Sequence, residues 1–174
     1  MKYAYIVIPL FFFLLDANAQ CSTKNYKTTD GISVREANFE VLYKNVGEDN
    51  NGDYSLGYTQ IHGRLARMSK SQAVVLWQLQ VAVDSKRQTP LAPRRLVSYF
   101  TNGGTLTLNA VTYQEVQGSV QMCEFEITDG IRSQLSNPIR QLDIIDTRAE
   151  RMYVSKKQFG LYEGVLAEQI NCLN

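Results

Sequence analysis

Ala73-Val-Val-Leu-Trp-Gln-Leu-Gln-Val-Ala-Val83 is the stretch that decides the fold. Val75, Trp77, Leu79, Val81 and Val83 fall at every second position, with Gln78 and Gln80 between them. Side chains alternate across a strand with a period of two, so the five apolar residues share one face and the glutamines the other. A helical period would scatter the same five around a cylinder. The spacing predicts a strand with one buried face.

Outward from this strand the pattern repeats. On its N-terminal side Phe39, Val41 and Tyr43 alternate with Glu40 and Lys44, then Asn51-Gly52 supplies a hairpin signal, because both positions tolerate positive φ. Tyr54 to Met68 returns as a long strand in which Gly57 and Gly63 mark bulges or close backbone approach. On the C-terminal side, residues 84–95 hold Pro90 and Pro93 and form a loop. Arg95–Thr101 and Thr105–Tyr113 make a hairpin across Asn102-Gly103-Gly104, and Ser119–Ile127 alternates again. Thr128 or Asp129 caps a short helix through Leu135, which Asn137-Pro138 ends. Strands follow at Ile139–Thr147 and Arg151–Val154. After Ser155 a stripe of Phe159, Tyr162, Leu166, Ile170 and Leu173 predicts a closing amphipathic helix, weakened by Gly160 and Gly164.

The sum is a mostly β (α+β) domain of about seven or eight antiparallel strands. They form a strongly bent sheet or partly open barrel, with the C-terminal helix packed on it. In outline this resembles pleckstrin-homology-type domains, a likeness of fold that assigns no function.

The first residues carry a different signal. Lys2 is followed by an apolar run from Ala4 to Leu15, too short for the ~20 residues of a membrane span. Asp16 breaks the run and Ala17-Asn18-Ala19 offers a small-x-small cleavage site. The expected organisation is a signal peptide over 1–19, an irregular N-terminal segment over 20–38 and a single β-rich domain over 39–174. Removing Lys2 and Asp16 leaves the net charge at +1, which gives no reason to expect nucleic-acid binding. No second apolar run approaches spanning length. The expected location is the periplasm or the extracellular space, with anchoring through a lipidated Cys21 as the alternative.

Three cysteines in an exported chain invite a disulfide and leave one thiol over. Cys21–Cys172 would join the two ends of the mature chain, and Cys123–Cys172 would pin the last helix to the sheet. The sequence leaves the pairing open.

Signatures of catalysis are sparse. His62 is the only histidine, and no companion with ligand spacing suggests a metal. No nucleophile elbow, phosphate loop, dinucleotide fingerprint or Cys-x-x-Cys occurs. The acidic turn at 48–53 fails the calcium-loop pattern, since aligning Gly52 with the loop glycine puts Gly47 at the first ligand. No cofactor is expected. Lys86, Arg87, Arg94 and Arg95 bracket the proline loop and are the candidate contact surface for an envelope protein, a lipid head group or a glycan. A non-enzymatic binding domain is the leading expectation. A small thiol enzyme or hydrolase pairing a cysteine with His62, and a structural lipoprotein held by Cys21, are the alternatives.

Four features also resemble a loose group of small exported proteins of Bacteroidetes-type bacteria. They are the Ala19-Gln20-Cys21 start, the strand and turn from Tyr99 to Gly103, the Pro138–Ile145 strand and the Asn171-Cys172-Leu173 end. The resemblance implies an envelope location and brings no activity with it.

Overall fold

The computed structural model describes residues 22–45, 59–71, 74–85, 94–117, 120–146, 151–155 and 161–174. The expected signal segment, Cys21, the acidic turn at 48–53, Gly57, and Lys86 and Arg87 lie outside them.

The central strand forms as its spacing dictates: β5 (Val74–Ser85) buries Trp77, Leu79, Val81 and Val83. The exception is Val75, 38 % exposed at the start of the strand. On one side β5 pairs in register with β4 (Thr59–Ser71), and on the other with β9 (Val120–Ile127), whose Cys123, Phe125 and Ile127 are buried. The sheet continues through β8 (Thr112–Gln117) beyond β9, and through β2 (Ser33–Ala37) and β1 (Thr23–Lys27) beyond β4. β3 (Glu40–Asn45) pairs with β4 on the same edge as β2, so this sheet has seven strands.

A second antiparallel sheet has the order β11 (Arg151–Ser155), β10 (Ile139–Ile145), β6 (Arg95–Phe100) and β7 (Thr105–Asn109). Its Leu96, Phe100, Leu106, Leu108, Ile139, Leu142 and Ile144 join Leu65, Leu79, Phe125 and their neighbours in one buried cluster. The inner face of the large sheet is the side that carries this core. The helix α1 (Asp129–Leu135) starts where Thr128 Oγ1 accepts the Ile131 N–H, and it buries Leu135. The C-terminal helix α2 (Val165–Leu173) adds Leu166, Ile170 and Leu173 to the core and packs on β2, β3 and β4.

The expected class, bent antiparallel sheet and packed C-terminal helix are what the structure shows, and the sheet is not closed into a barrel. Several details differ. The segment expected to be irregular contains β1 and β2, joined by a turn in which Gly31 takes φ +76°. The single strand expected over Thr105–Tyr113 is two, because the chain leaves the small sheet after Asn109 and enters the large one at Thr112. These divisions bring the strands among the described residues to eleven. In β3 a register shift between Val41 and Tyr43 breaks the alternation, so Leu42 and Tyr43 are both buried while Phe39 is 37 % exposed. The last helix starts after Gly164, and Leu161 before it makes a bridge to Tyr43.

Among the described residues, no helix is long and apolar enough to cross a membrane.

Candidate functional site

Strand pairing aligns polar residues across the outer face of the large sheet. Tyr26 of β1 donates to Glu36 of β2 (3.1 Å), and Arg64 of β4 binds the other oxygen of that carboxylate (2.9 Å). Arg64 Nε donates to Gln80 of β5 (2.5 Å), Gln80 donates to Glu124 of β9 (2.6 Å), and Thr112 of β8 donates to Glu124 (2.7 Å). This row takes one residue from each of six successive strands, and every charge in it has a partner. Arg64 also lies over the Phe39 ring, 4.4 Å from its centroid. Burial first, and then the bond to Glu36, raise the Tyr26 hydroxyl above its ordinary value, which keeps it a neutral donor.

The inner face at the β1–β2 end is different. Asn25, Arg35 and Arg67 stand in register across β1, β2 and β4, in line with Trp77 of β5. In the next inner row Lys27, Ser33, Ser69 and Val75 are aligned in the same way. In-register antiparallel partners point to the same side of a sheet, so these residues extend the inner face past the edge of the core. All of them but Trp77, together with Tyr26 and Val34 at the sheet edge, line a cleft of about 580 Å³, within the span of ~300–1,000 Å³ usual for small-molecule sites.

The electrostatics of this cleft are one-sided. Arg35 and Arg67 are half-buried and directly opposite each other, an arrangement that repulsion disfavours. Arg35 Nε is buried with no hydrogen-bond partner. Among the described residues neither arginine has an acidic partner, and the cleft lining holds no Asp, Glu, His or Cys. Arg64, three residues before Arg67 on the opposite face of the same strand, has Glu36. The contrast lies in the site and not in the strand.

A second groove, of about 600 Å³, lies against the outer ends of β5 and β9, where Leu76 and Val111 are exposed beside Glu124, Glu126 and Asp129. Two of those carboxylates are already occupied: Glu124 by Gln80 and Thr112, and Asp129 by Arg132 at 3.1 Å. Its uncompensated charge is therefore smaller than that of the arginine cleft.

Of the candidate basic loop, Arg94 and Arg95 are described and both are exposed. Arg94 stacks over Tyr113 at 4.4 Å and its N–H bonds the Ile145 carbonyl, while Arg95 opens β6. Neither lines the arginine cleft.

Cys123 is a free cysteine, which corrects its candidacy for a disulfide with Cys172. It lies fully buried on the inner face of β9, opposite Val81. Burial pushes its thiol up to about 12. His62 belongs to the outer rows, with Val41 and Ala82 as its cross-strand partners, and its ring lies 3.2 Å from Gln60 Oε1. The sheet itself thus separates Cys123 from His62. Among the described residues no group of three His, Cys, Asp or Glu side chains is placed to hold a metal ion.

Sequence reasoning missed Arg35 and Arg67 because they are far apart in the chain and become neighbours only through the β2–β4 register. The signal that was present is their parity: each is a charged residue at an inward position of a strand. Set beside protein-family models, curated proteins and solved structures, the chain matches none of them.

Proposed function

We propose that this chain is an exported, non-enzymatic binding domain of the cell envelope, and that it takes an anionic ligand in the cleft between β1, β2 and β4. The observation that carries the reading is the in-register pair Arg35 and Arg67, neither of which has a side-chain partner among the described residues. Two half-buried guanidiniums facing each other cost stability unless something negative sits between them. Export is supported by the N-terminal pattern of Lys2, the apolar run and Ala17-Asn18-Ala19.

A thermal-shift series with phosphorylated, sulfated and carboxylated small molecules tests the site. At least one class is expected to raise the Tm of the wild type and to leave Arg35→Gln/Arg67→Gln unmoved. Arg67→Gln alone is expected to raise ligand-free stability by about 0.2–1 kcal/mol, because it removes the repulsion. Equal shifts for wild type and double variant, or none for either, would sink the proposal.

The export reading gives the disulfide a definite form. Cys123 is free and Cys172, in α2, is not a free thiol. Cys21, outside the described residues, is the only other cysteine in the chain. Ser22 next to it accepts a bond from the Asn38 N–H, and the Asn38 carbonyl accepts one from Gln169 of α2. A sulfur joined to Cys172 is not free for lipid, so this pairing and the lipoprotein alternative exclude each other. Intact-mass analysis of the exported protein is expected to show a chain starting at Gln20 with one thiol, Cys123, that alkylates only after denaturation. A diacylated or triacylated Cys21 would overturn the pairing. The same thiol makes stability pH-dependent. Above about 9 the unfolded chain loses a proton that the native state keeps, so stability falls from there up to about 12 and is unaffected below.

A further inference from the structure

We infer that the ligand of the arginine cleft is a phosphate monoester in its dianionic form, an inference that rests on the anion-binding reading above. Charge and oxygen count carry it. Arg35, Arg67 and Lys27 bring three cations to one cleft, whose lining among the described residues holds no carboxylate. A carboxylate offers one charge and two oxygens, enough for the fork of a single guanidinium. It would leave the second arginine facing the first uncompensated. A phosphate monoester carries about −1.5 to −2 charges at neutral pH and three terminal oxygens. It therefore satisfies both forks at once, since cross-strand partners lie only about 4.5–5.5 Å apart at Cα. The inward row beside the arginines adds Lys27 and the Ser33 hydroxyl.

The cleft is also much larger than a phosphate group, at about 580 Å³. Val75, 38 % exposed at its edge, gives an apolar surface for the organic part of the ester.

Calorimetric titration of the exported protein with phenyl phosphate and with benzoate, at pH 7.5 and pH 5, tests the inference. Phenyl phosphate is expected to bind roughly tenfold or more tightly than benzoate at pH 7.5, from the extra charge-assisted bonds. Its advantage should shrink toward pH 5, because its second pKa is about 6 while benzoate stays ionised. Arg35→Gln/Arg67→Gln, checked for a Tm no lower than that of the wild type, should lose that preference. Vesicles containing phosphatidic acid and soluble glucose phosphate present the same monoester, and separate a lipid head group from a free sugar phosphate as its source. Equal affinity for the two aromatic anions, or a phenyl phosphate affinity that does not change with pH, would overturn the dianion and leave the anion site standing. Failure of every anion to bind the wild type would overturn both.

Discussion

Replacing Gln169 by Leu is expected to destabilise the protein by about 3–6 kcal/mol, read as a shift of the urea midpoint at unchanged slope. The reason lies in how β4 shares its edge. β2 pairs with it over Ala66–Ser69 and β3 over its other half, up to Gly63. Between the two partners β4 has a seam in which the Leu65 N–H and the Gly63 carbonyl face no strand. Gln169 fills it from α2. Its Oε1 accepts the Leu65 N–H (2.8 Å), and its Nε2 donates to the Gly63 carbonyl (3.1 Å) and to the Asn38 carbonyl (3.2 Å). The side chain is 3 % exposed, so water does not replace these bonds when they are lost. Leucine keeps the volume and orphans two buried backbone groups, at about 1–3 kcal/mol each, and a third, the half-buried Asn38 carbonyl, at less. Gln169→Glu separates hydrogen bonding from packing. A carboxylate there faces two carbonyls and should cost more than leucine at pH 7. Protonation restores a donor, so the cost should shrink as pH falls, because the native state holds that proton more tightly than the unfolded chain. Equal stability of wild type and Gln169→Leu would remove the seam from the account.

The strand at 74–85 was legible because four of its five marker residues are buried where the period of two puts them. Val75 departs from the pattern only because the core ends there, and where a core ends is a tertiary fact. The short helix was legible from Thr128 and Asn137-Pro138, whose local chemistry fixes both ends. The break between β7 and β8 was not. Asn109-Ala110-Val111 holds no glycine or proline, and the chain turns there because two sheets compete for it. The N-terminal strands hid behind polar composition: β1 is an edge strand with exposed side chains, and β2 carries inward-facing charge. Gln169 sits on the predicted apolar stripe, between Leu166 and Ile170, where a polar residue looks like an interruption. Its role depends on a seam that exists only after β2 and β3 have divided one edge. The candidate site followed the same rule. Lys86, Arg87, Arg94 and Arg95 drew attention because they are close in sequence, whereas Arg35 and Arg67 are close only through register. Of the chemistry-bearing residues, the sequence shows those whose neighbours are local and hides those whose neighbours are supplied by pairing.

Leu42→Ala and Gly63→Ala are each expected to destabilise the protein, and together to cost less than their sum. Glu40 pairs with Gly63 across β3 and β4, and Val41 with His62, just before the register shift that turns Leu42 inward. A Cβ on Gly63 would lie 2.6 Å from Leu42 Cδ1 and 3.0 Å from its Cγ. Leu42 is 2 % exposed, so its side chain has little room to yield. Gly63→Ala overpacks the site, at about 1–3 kcal/mol, and the shift is transmitted to the carbonyl that Gln169 holds. Leu42→Ala leaves a cavity and costs about 2–5 kcal/mol. In the double variant the new methyl enters the space the leucine vacated, and a coupling of about 1–2 kcal/mol should appear in the cycle. Strict additivity would mean that Gly63 is glycine for some reason other than Leu42. The backbone itself supplies none, since Gly63 is not among the positive-φ glycines, which are Gly31 and Gly103. The requirement comes from the neighbouring strand: the bulge that buries both Leu42 and Tyr43 needs the space a side chain at position 63 would take. That close approach holds the seam narrow enough for one glutamine to span.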